Sequence, residues 1–280
     1  MRKQTKIIIS AVSLAMSVLA SQTISRAGEV LDRVLSSKTL TVAVGTDWGR
    51  MSYLDQKHEL AGSDIDLAKA VADRLGVEIK FVTPGWDVIT AGRWEGRWDL
   101  SMGQMTPTKA REEKFAFPAI YFYSPTGAAV HKNSKLAALP DLNGKTVGVL
   151  ANTIFEYYAN QTFTPDWLGV KPIEYPFKAG EVRSYPSSSV PPLDDLRLGD
   201  GVRLDAVLWD KVTIQKAIDD GYPLRVLPGT LFTSPASIAI LQGDKEFNDK
   251  IKEAVDAMRA DGSLSKMTIK WYGADYSVDK

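Results

Sequence analysis

The apolar positions of the chain follow two periods that alternate along the sequence. At residues 39–44, every second residue is Leu or Val, which predicts a β-strand. At residues 63–75, the apolar residues recur at helical spacing, and Gly76 marks the end of the predicted helix. Short strands are predicted next, at residues 78–82 and 98–102. Because strands alternate with helices, we expect an α/β fold with a mostly parallel sheet and helices on both faces.

The same alternation starts again in the second half of the chain. It is interrupted at residues 175–192, which contain four prolines and three consecutive serines and are interpreted as a loop. The further predicted elements are strands at residues 145–150, 204–209, 224–227 and 237–241, and helices at residues 154–161, 212–220, 246–260 and 263–271.

Two such series in a chain of 280 residues predict two lobes. The first lobe is expected to comprise residues 28–130 and 235–280, and the second lobe residues 131–234. The predicted strand at residues 237–241 returns the chain to the first lobe, so two segments would connect the lobes. Such a double connection forms a hinge that opens and closes without unfolding either lobe.

The first 27 residues have a different pattern. Arg2, Lys3 and Lys6 precede a mainly apolar run at residues 7–20, and residues 25–27 place small side chains at the −3 and −1 positions of a cleavage site. This pattern predicts a cleavable secretory signal peptide, with an uncleaved anchor as the alternative. The run is short for a membrane span, which needs about 20 residues. We expect a soluble, exported protein without a lipid anchor.

The composition excludes several classes of function. Lys plus Arg equals Asp plus Glu, at 34 each, so the chain lacks the basic surface that binds nucleic acid. The absence of cysteine excludes disulfides, thiolate zinc sites and cysteine nucleophiles. His58 and His131 fall in polar stretches, which favours solvated positions over metal ligation or a Ser-His-Asp triad. We therefore expect neither a metal nor a cofactor.

Five segments carry motifs that point to one protein family. They are GSDIDLAKAVADRLG at residues 62–76, WDLSMGQMTPTKAREEKFAFP at 98–118, LNGKTVGVLANT at 142–153, LDAVLWD at 204–210 and DGSLSKMTIKWYG at 261–273. In this order they resemble the family-three extracellular solute-binding proteins, which deliver polar amino acids to ABC importers. The resemblance spans nearly all of the mature chain.

The resemblance implies a type II periplasmic-binding-protein fold, with two lobes and a double-stranded hinge. It implies a monomer in the periplasm that binds a ligand with an α-amino-acid head group and has no enzymatic activity. A cognate ABC permease in the inner membrane would be its partner.

Arg111 is the first candidate for binding the carboxylate of such a ligand. Thr108 is predicted to cap the following helix, which places Arg111 in its first turn, where a cation is unfavourable and a bound anion would offset it. Arginine also holds a carboxylate through two parallel hydrogen bonds. The binding arginine of the family aligns here. The alternative is a surface arginine paired with Glu112 or Asp99.

Gln104, Met105 and Thr106 follow the strand predicted at residues 98–102. Ligands of open α/β sheets bind at this carboxyl end of the strands. The resemblance implies that main-chain groups at Gln104 and the hydroxyl of Thr106 hold the ammonium group. Thr106 could instead be a turn residue.

The second lobe supplies the remaining candidates for the head group. Asn152, Thr153 and Ile154 lie at the start of a predicted helix, where main-chain N–H groups and a hydroxyl would reach the carboxylate. Asp210 directly follows an apolar strand and aligns with the aspartate of the family that binds the ammonium group. The alternative for both Thr153 and Asp210 is a helix N-cap.

The candidates for the ligand side group depart from the family. Trp86 aligns with a position that packs on the ligand, although an ordinary core position is the alternative. Asp47, Trp48 and Arg50 lie in the turn after the first strand, and Arg50 replaces a common aromatic residue. Because a guanidinium donates hydrogen bonds to oxygen atoms, Arg50 motivates the hypothesis of an acidic or opine-like ligand.

Two other functions stay open. Some exported dehydratases resemble this family, but such an enzyme needs a general acid, and the sequence offers no obvious carboxylate beyond Asp47 and Asp210. A periplasmic sensor or accessory protein could use the same scaffold. The presence of Thr106, Arg111 and Asp210 together favours ligand binding.

Overall fold

The computed structural model describes residues 28–167, 170, 172–186 and 191–279, so the predicted signal peptide and residues 187–190 of the predicted loop lie outside it. No helix in these ranges is long and apolar enough to cross a membrane. The helices are α1 (Glu29–Ser37), α2 (Ser63–Leu75), α3 (Trp86–Thr90), α4 (Lys109–Glu112), α5 (Ile154–Ala159), α6 (Pro192–Leu196), α7 (Lys211–Asp219), α8 (Lys245–Ala260) and α9 (Ser263–Tyr272). The strands are β1 (Thr39–Ala43), β2 (Tyr53–Leu54), β3 (Leu60–Ala61), β4 (Glu78–Val82), β5 (Leu100–Met105), β6 (Phe115–Ala116), β7 (Ile120–His131), β8 (Thr146–Leu150), β9 (Glu181–Tyr185), β10 (Ala206–Asp210), β11 (Leu224–Val226) and β12 (Phe232–Leu241).

One 10-stranded sheet runs through the described part of the chain in the order β4-β1-β5-β12-β7-β10-β8-β9, with β6 and β11 paired off this path. At its two ends, β1 pairs in parallel with β4 and β5, and β8 pairs in parallel with β9 and β10. In its middle, β12 and β7 are antiparallel to each other and to their outer neighbours. Two parallel halves are therefore joined through β7 and β12, and the predicted two-lobed α/β fold is confirmed.

Each half of the sheet has its own hydrophobic core. The core of the first lobe includes Leu40 on β1, and the core of the second lobe includes Tyr158 on α5. The two connecting strands contribute to both: on β7, Phe122 packs in the first core and Ala128 in the second. β7 and β12 are therefore the strands at which the lobes would bend relative to each other. Val212 of α7, in the second lobe, also packs in the first core.

The clearest periodic segment of the sequence forms the helix that it predicts. α2 covers Ser63–Leu75, and its apolar positions Ile65, Ala68 and Val71 are buried. Gly76 adopts a left-handed φ of 69°, and its N–H bonds back to the last turn, which ends the helix.

The interpretation of residues 175–192 as a loop is wrong for Glu181–Tyr185, which form β9. This strand pairs in parallel with β8 at the edge of the sheet. An edge strand buries little of its surface, and here only Tyr185 is buried. Its polar composition and the prolines that flank it therefore hide the alternation by which strands are predicted.

Candidate functional site

A cavity of about 70 Å³ lies between the two lobes. The first lobe and the connecting strands line it from one side, and the starts of α5 and α7 line it from the other. The lining residues are Trp48, Met51, Trp86, Gly103, Gln104, Thr106, Arg111, Ser124, Leu150, Thr153, Ile154, Phe155, Trp209, Asp210 and Ser234.

Arg111 spans the gap between the lobes at this cavity. The hydroxyl of Thr108 caps α4 and accepts from the N–H of Arg111, as the sequence predicts. The guanidinium of Arg111 donates to the carbonyl of Thr106 at 3.0 Å and to the carbonyl of Asn152, in the second lobe, at 3.3 Å. It also lies over the ring of Trp86, 5.7 Å from the centroid.

Arg111 has no anionic partner in the described part of the chain, where no carboxylate lies within 4.0 Å of its guanidinium. Asp99, one of the two partners considered from the sequence, instead pairs with Arg33 and accepts from the N–H of Thr41. Burial lowers the pKa of Arg111 to about 10. The cation is held by neutral carbonyl groups beside a cavity, which is the environment of an anion-binding group.

Asp210 brings a carboxyl group to the same cavity from the second lobe. It is the last residue of β10 and caps α7, because its Oδ1 accepts from the N–H of Thr213 at 2.8 Å. Only 3% of the residue is exposed, and burial raises the pKa of its carboxyl group to about 6. The capping role considered from the sequence is thus compatible with a position in the cavity wall.

The last residues of β5, which were predicted to follow the strand, have an unusual backbone that leads to Thr106 in the cavity wall. Gly103 and Gln104 both have positive φ, at 130° and 52°. The main-chain N–H of Gln104 donates to the hydroxyl of Tyr121 at 2.9 Å, and this hydrogen bond holds the backbone at Gln104 in place. Thr106 is 2% exposed and lines the cavity, whereas Met105 points into the neighbouring aromatic core and does not line it.

At the start of α5, Thr153 caps the helix and forms part of the cavity wall that the second lobe contributes. Thr153 accepts from the N–H of Glu156 and donates to the carbonyl of Leu150 at 2.6 Å. Thr153 and Ile154 line the cavity. Asn152 has a φ of 60°, and its carbonyl group accepts from the indole N–H of Trp86 at 3.3 Å as well as from Arg111.

Two tryptophans of the first lobe form an aromatic wall. The rings of Trp48 and Trp86 meet edge to face, with centroids 5.6 Å apart. Two glycines make room for Trp48: a Cβ atom on Gly45 would lie 2.2 Å from its ring, and one on Gly103 would lie 2.6 Å from it. Trp209 lines the opposite side, from the second lobe.

Asp47 and Arg50 are not among the residues that line the cavity. The guanidinium of Arg50 forms an ion pair with Asp219 of the second lobe and donates to the carbonyl of Trp271. Asp47 lies in a neighbouring cavity between the lobes, where burial and the charge of Asp194 raise the pKa of its carboxyl group.

The structure therefore brings most of the predicted residues to one cavity and leaves a few outside it. Their roles in ligand binding stay predictions. Those that line the cavity are Trp48, Trp86, Gln104, Thr106, Arg111, Thr153, Ile154 and Asp210, whereas Asp47, Arg50 and Met105 lie elsewhere and Asn152 contributes its carbonyl to Arg111.

Several lining residues were missed from the sequence, chiefly Ser124 and Ser234. They lie on β7 and β12, opposite each other in the register of these antiparallel strands. Serine within otherwise apolar, buried strands is the signal that could have identified them. The described residues contain no group of three or more acidic or histidine side chains suited to a metal ion.

Comparison with known proteins identifies the class. Residues 40–274 match the model of the bacterial extracellular solute-binding proteins, family 3. The chain belongs to this family, which confirms the resemblance found in its sequence.

Relatives and solved structures agree with this assignment. The chain is 26% identical to a probable amino-acid ABC transporter-binding protein of Haemophilus influenzae, over 96% of this chain and 98% of that protein. It is also 26% identical to the L-cystine-binding protein TcyJ of Escherichia coli K12, with 94% of each chain covered. A crystal structure of the ancestral amino acid-binding protein AncCDT-1, a precursor of cyclohexadienyl dehydratase, matches with a TM-score of 0.73 and 28% identity, over 86% of this chain and 99% of that one.

Proposed function

We propose that this protein captures an amino acid in the periplasm and presents it to the permease of an ABC importer. The observation that carries the proposal is the pair of opposite charges at one cavity. Arg111 lacks an anion among the described residues, and Asp210 is buried without a cation within ion-pair distance. A zwitterionic head group would supply both missing partners.

The placement of the two charges on different lobes favours closure around the ligand. Arg111 belongs to α4 of the first lobe, and Asp210 ends β10 of the second. A carboxylate on Arg111 and an ammonium group on Asp210 would each pull the lobes together, because both charges are removed from water in the closed cavity. Thr106 and Thr153 add hydroxyl groups beside them.

The wider setting follows the family. Relatives carry names of binding proteins for amino-acid ABC transporters, and the N-terminal 27 residues have the pattern of a secretory signal peptide. A soluble periplasmic monomer that docks on an inner-membrane permease fits this pattern.

An acidic or opine-like side group is the finer hypothesis drawn from Arg50. In the structure, Arg50 contacts Asp219 and Trp271 instead of the cavity. Arg111 is the one cation among the described lining residues, and the head group would occupy it. The hypothesis therefore has no second contact to support it, and a ligand panel decides it.

An enzyme on the same scaffold is the second candidate. It is favoured by the likeness to a precursor of cyclohexadienyl dehydratase and by the raised pKa of Asp210, a property of general acids. Product analysis after incubation with each bound ligand separates this function from binding alone.

The test is calorimetric titration of the mature protein with the common amino acids and representative opines. We expect at least one amino acid to bind tightly, and Arg111→Ala to weaken that binding about 30-fold or more, since it removes one partner of a desolvated pair. Lys57→Ala, which removes an exposed cation far from the cavity, is the matched control. Unchanged binding by Arg111→Ala, or no binding by the folded wild type, would contradict the proposal.

A further inference from the structure

We infer that the cavity selects amino acids with a compact, uncharged side group that carries a hydrogen-bonding atom, and that Ser124 and Ser234 bind that atom. This inference rests on the proposed function and specifies its ligand class. It is carried by two observations on the cavity lining: an unsatisfied hydroxyl group on the connecting strands, and the balance of charges.

Ser124 and Ser234 form a polar floor between the two lobes. They are directly paired residues of the antiparallel strands β7 and β12, so their side chains project from the same face of the sheet. Both line the cavity and are buried, with exposures of 5% and 2%. Because they lie on the strands that connect the lobes, they stay at the base of the cavity when it opens or closes.

The hydroxyl group of Ser124 has no hydrogen-bond partner among the described residues. A buried hydroxyl without a partner is unfavourable, since it has lost its hydrogen bonds to water. The hydroxyl oxygen itself is fully covered, but Ser124 lines the cavity, so a rotation of its side chain would bring the hydroxyl to a ligand hydroxyl, amide or bridging water.

The charges of the lining leave no partner for a charged side group. Among the described residues that line it, Arg111 is the one cation and Asp210 the one anion. A zwitterionic head group neutralises both. A further charge on the ligand would be buried without a partner, which is strongly unfavourable.

Two further charged residues between the lobes, Arg50 and Asp47, lie outside this cavity. The guanidinium of Arg50 is paired with Asp219. Asp47 lies in the adjacent cavity, beside Lys216 and Asp220, which are themselves paired. Neither residue is among those that line the cavity around Arg111.

Four aromatic rings restrict the path of the side group to the serines. Aromatic rings of Trp48, Trp86, Phe155 and Trp209 surround the volume of about 70 Å³. Rings of this kind exclude water and accept apolar carbon atoms, so the hydrogen-bonding atom must reach the serines at the end of a short side group.

The test compares ligands of nearly the same shape. Calorimetric titration of the mature protein uses asparagine against aspartate and glutamine against glutamate for the charge, and lysine and arginine for basic side groups. Threonine against valine and glutamine against methionine test the hydrogen-bonding atom. We expect the uncharged polar ligand of the best pair to bind about 30-fold or more tighter than its charged counterpart.

Serine variants assign the contact. Ser124→Ala and Ser234→Ala are expected to lower the preference for the polar ligand over its apolar counterpart by about 3- to 10-fold, the value of one hydrogen bond. Thr126→Val is the matched control: Thr126 is on the same face of β7, and its hydroxyl is also buried without a partner, but it does not line the cavity. Thermal melting confirms that each variant is folded.

Three results would overturn the inference. Tightest binding of an acidic or basic amino acid would refute the uncharged side group. The serine contact would be refuted if both serine variants preferred the polar ligand over its apolar counterpart as strongly as Thr126→Val does. Failure of the folded wild type to bind any amino acid would refute the proposed function and, with it, this inference. Tight binding of an amino acid of another class would refute this inference alone.

Discussion

Arg50 and Asp219 form an ion pair that joins the two lobes of the protein. The same guanidinium donates to the main-chain carbonyl of Trp271 on α9, at 2.8 Å. Arg50 thus holds α7 of the second lobe against α9 of the first. Because the partners belong to different lobes, we expect the contact to stabilise the closed form and to be lost when the cavity opens.

Replacement of Arg50 by Ala is expected to weaken ligand binding by up to about fivefold, the usual limit for a partly exposed ion pair. Faster ligand release should account for most of this change, which stopped-flow fluorescence measures. Arg74→Ala is the matched control, because the Arg74–Asp261 pair has similar exposure but lies within the first lobe. Equal effects of the two variants would show that Arg50 does not stabilise closure.

Ligand binding should depend on pH through Asp210. In the ligand-free protein, burial raises the pKa of this carboxyl group to about 6, and a ligand ammonium group requires the ionised form. We expect the affinity to be constant above pH 7 and to fall as the pH decreases below 6. Asp210→Asn should keep the helix cap, bind about 30-fold or more weakly and lose this pH dependence. An unchanged pH profile of Asp210→Asn in calorimetric titration would contradict the assignment.

The free energy of unfolding of the ligand-free protein should depend on pH through Asp64. This carboxyl group is fully buried, accepts from the hydroxyl of Tyr121 at 3.1 Å and has an unpaired Oδ2 among the described residues. Burial raises its pKa from 3.8 to about 7. The folded protein therefore keeps a proton that the unfolded chain releases, so the free energy of unfolding should fall as the pH rises from about 4 to 7.

Asp64→Asn should remove this contribution, which amounts to at most about 1.4 kcal/mol per pH unit. Urea unfolding between pH 5 and 8 measures it. Asp55→Asn is the control, because main-chain N–H groups of Glu59 and Lys57 lower the pKa of Asp55, and it stays ionised throughout. A slope that is the same in Asp64→Asn and in the wild type would disprove the role of Asp64.

The aromatic wall should depend on a glycine that touches neither ligand nor solvent. A Cβ atom on Gly45 would lie 2.2 Å from the ring of Trp48, so Gly45→Ala must displace this ring from its contact with Trp86. We expect a changed near-ultraviolet circular dichroism spectrum and weaker binding. Gly96→Ala is the control: it strains the backbone at a φ of 70°, but nothing lies within 4 Å of the new atom. Identical spectra of Gly45→Ala and the wild type would contradict the expectation.

Local periodicity was sufficient to predict the elements whose environment is uniform along their length. α2 buries one face in the first core, and β8 buries Val147 and Val149 in the second, so their patterns are strong. β7 instead passes from the core of the first lobe to that of the second, and its one serine, its proline and its glycine obscure any single period. Its length, and with it the position of Ser124, could not be predicted.

For the site, the sequence identified the residues whose local chemistry is distinctive. It did not identify the contacts of residues whose partners lie far away in the sequence. Arg111 and Asp210 follow directly from a helix cap and a strand end. The position of Arg50 depends on Asp219 of α7, which is 169 residues away in the sequence. No local pattern indicates that an arginine meets that helix, so the hypothesis of a side-group contact could not be tested from the sequence.

The place of β12 in the sheet also sets the order in which the lobes can fold as the chain is made. β12 lies between β5 and β7, yet it consists of residues 232–241. Once residue 232 has been synthesised, every strand that packs in the core of the second lobe exists. The first lobe, although its first strand is β1, still lacks β12 and the helices α8 and α9. The lobe that comes first in the sequence is therefore the last whose strands and helices are all synthesised, and its core cannot be completed until about the final 50 residues of the chain exist.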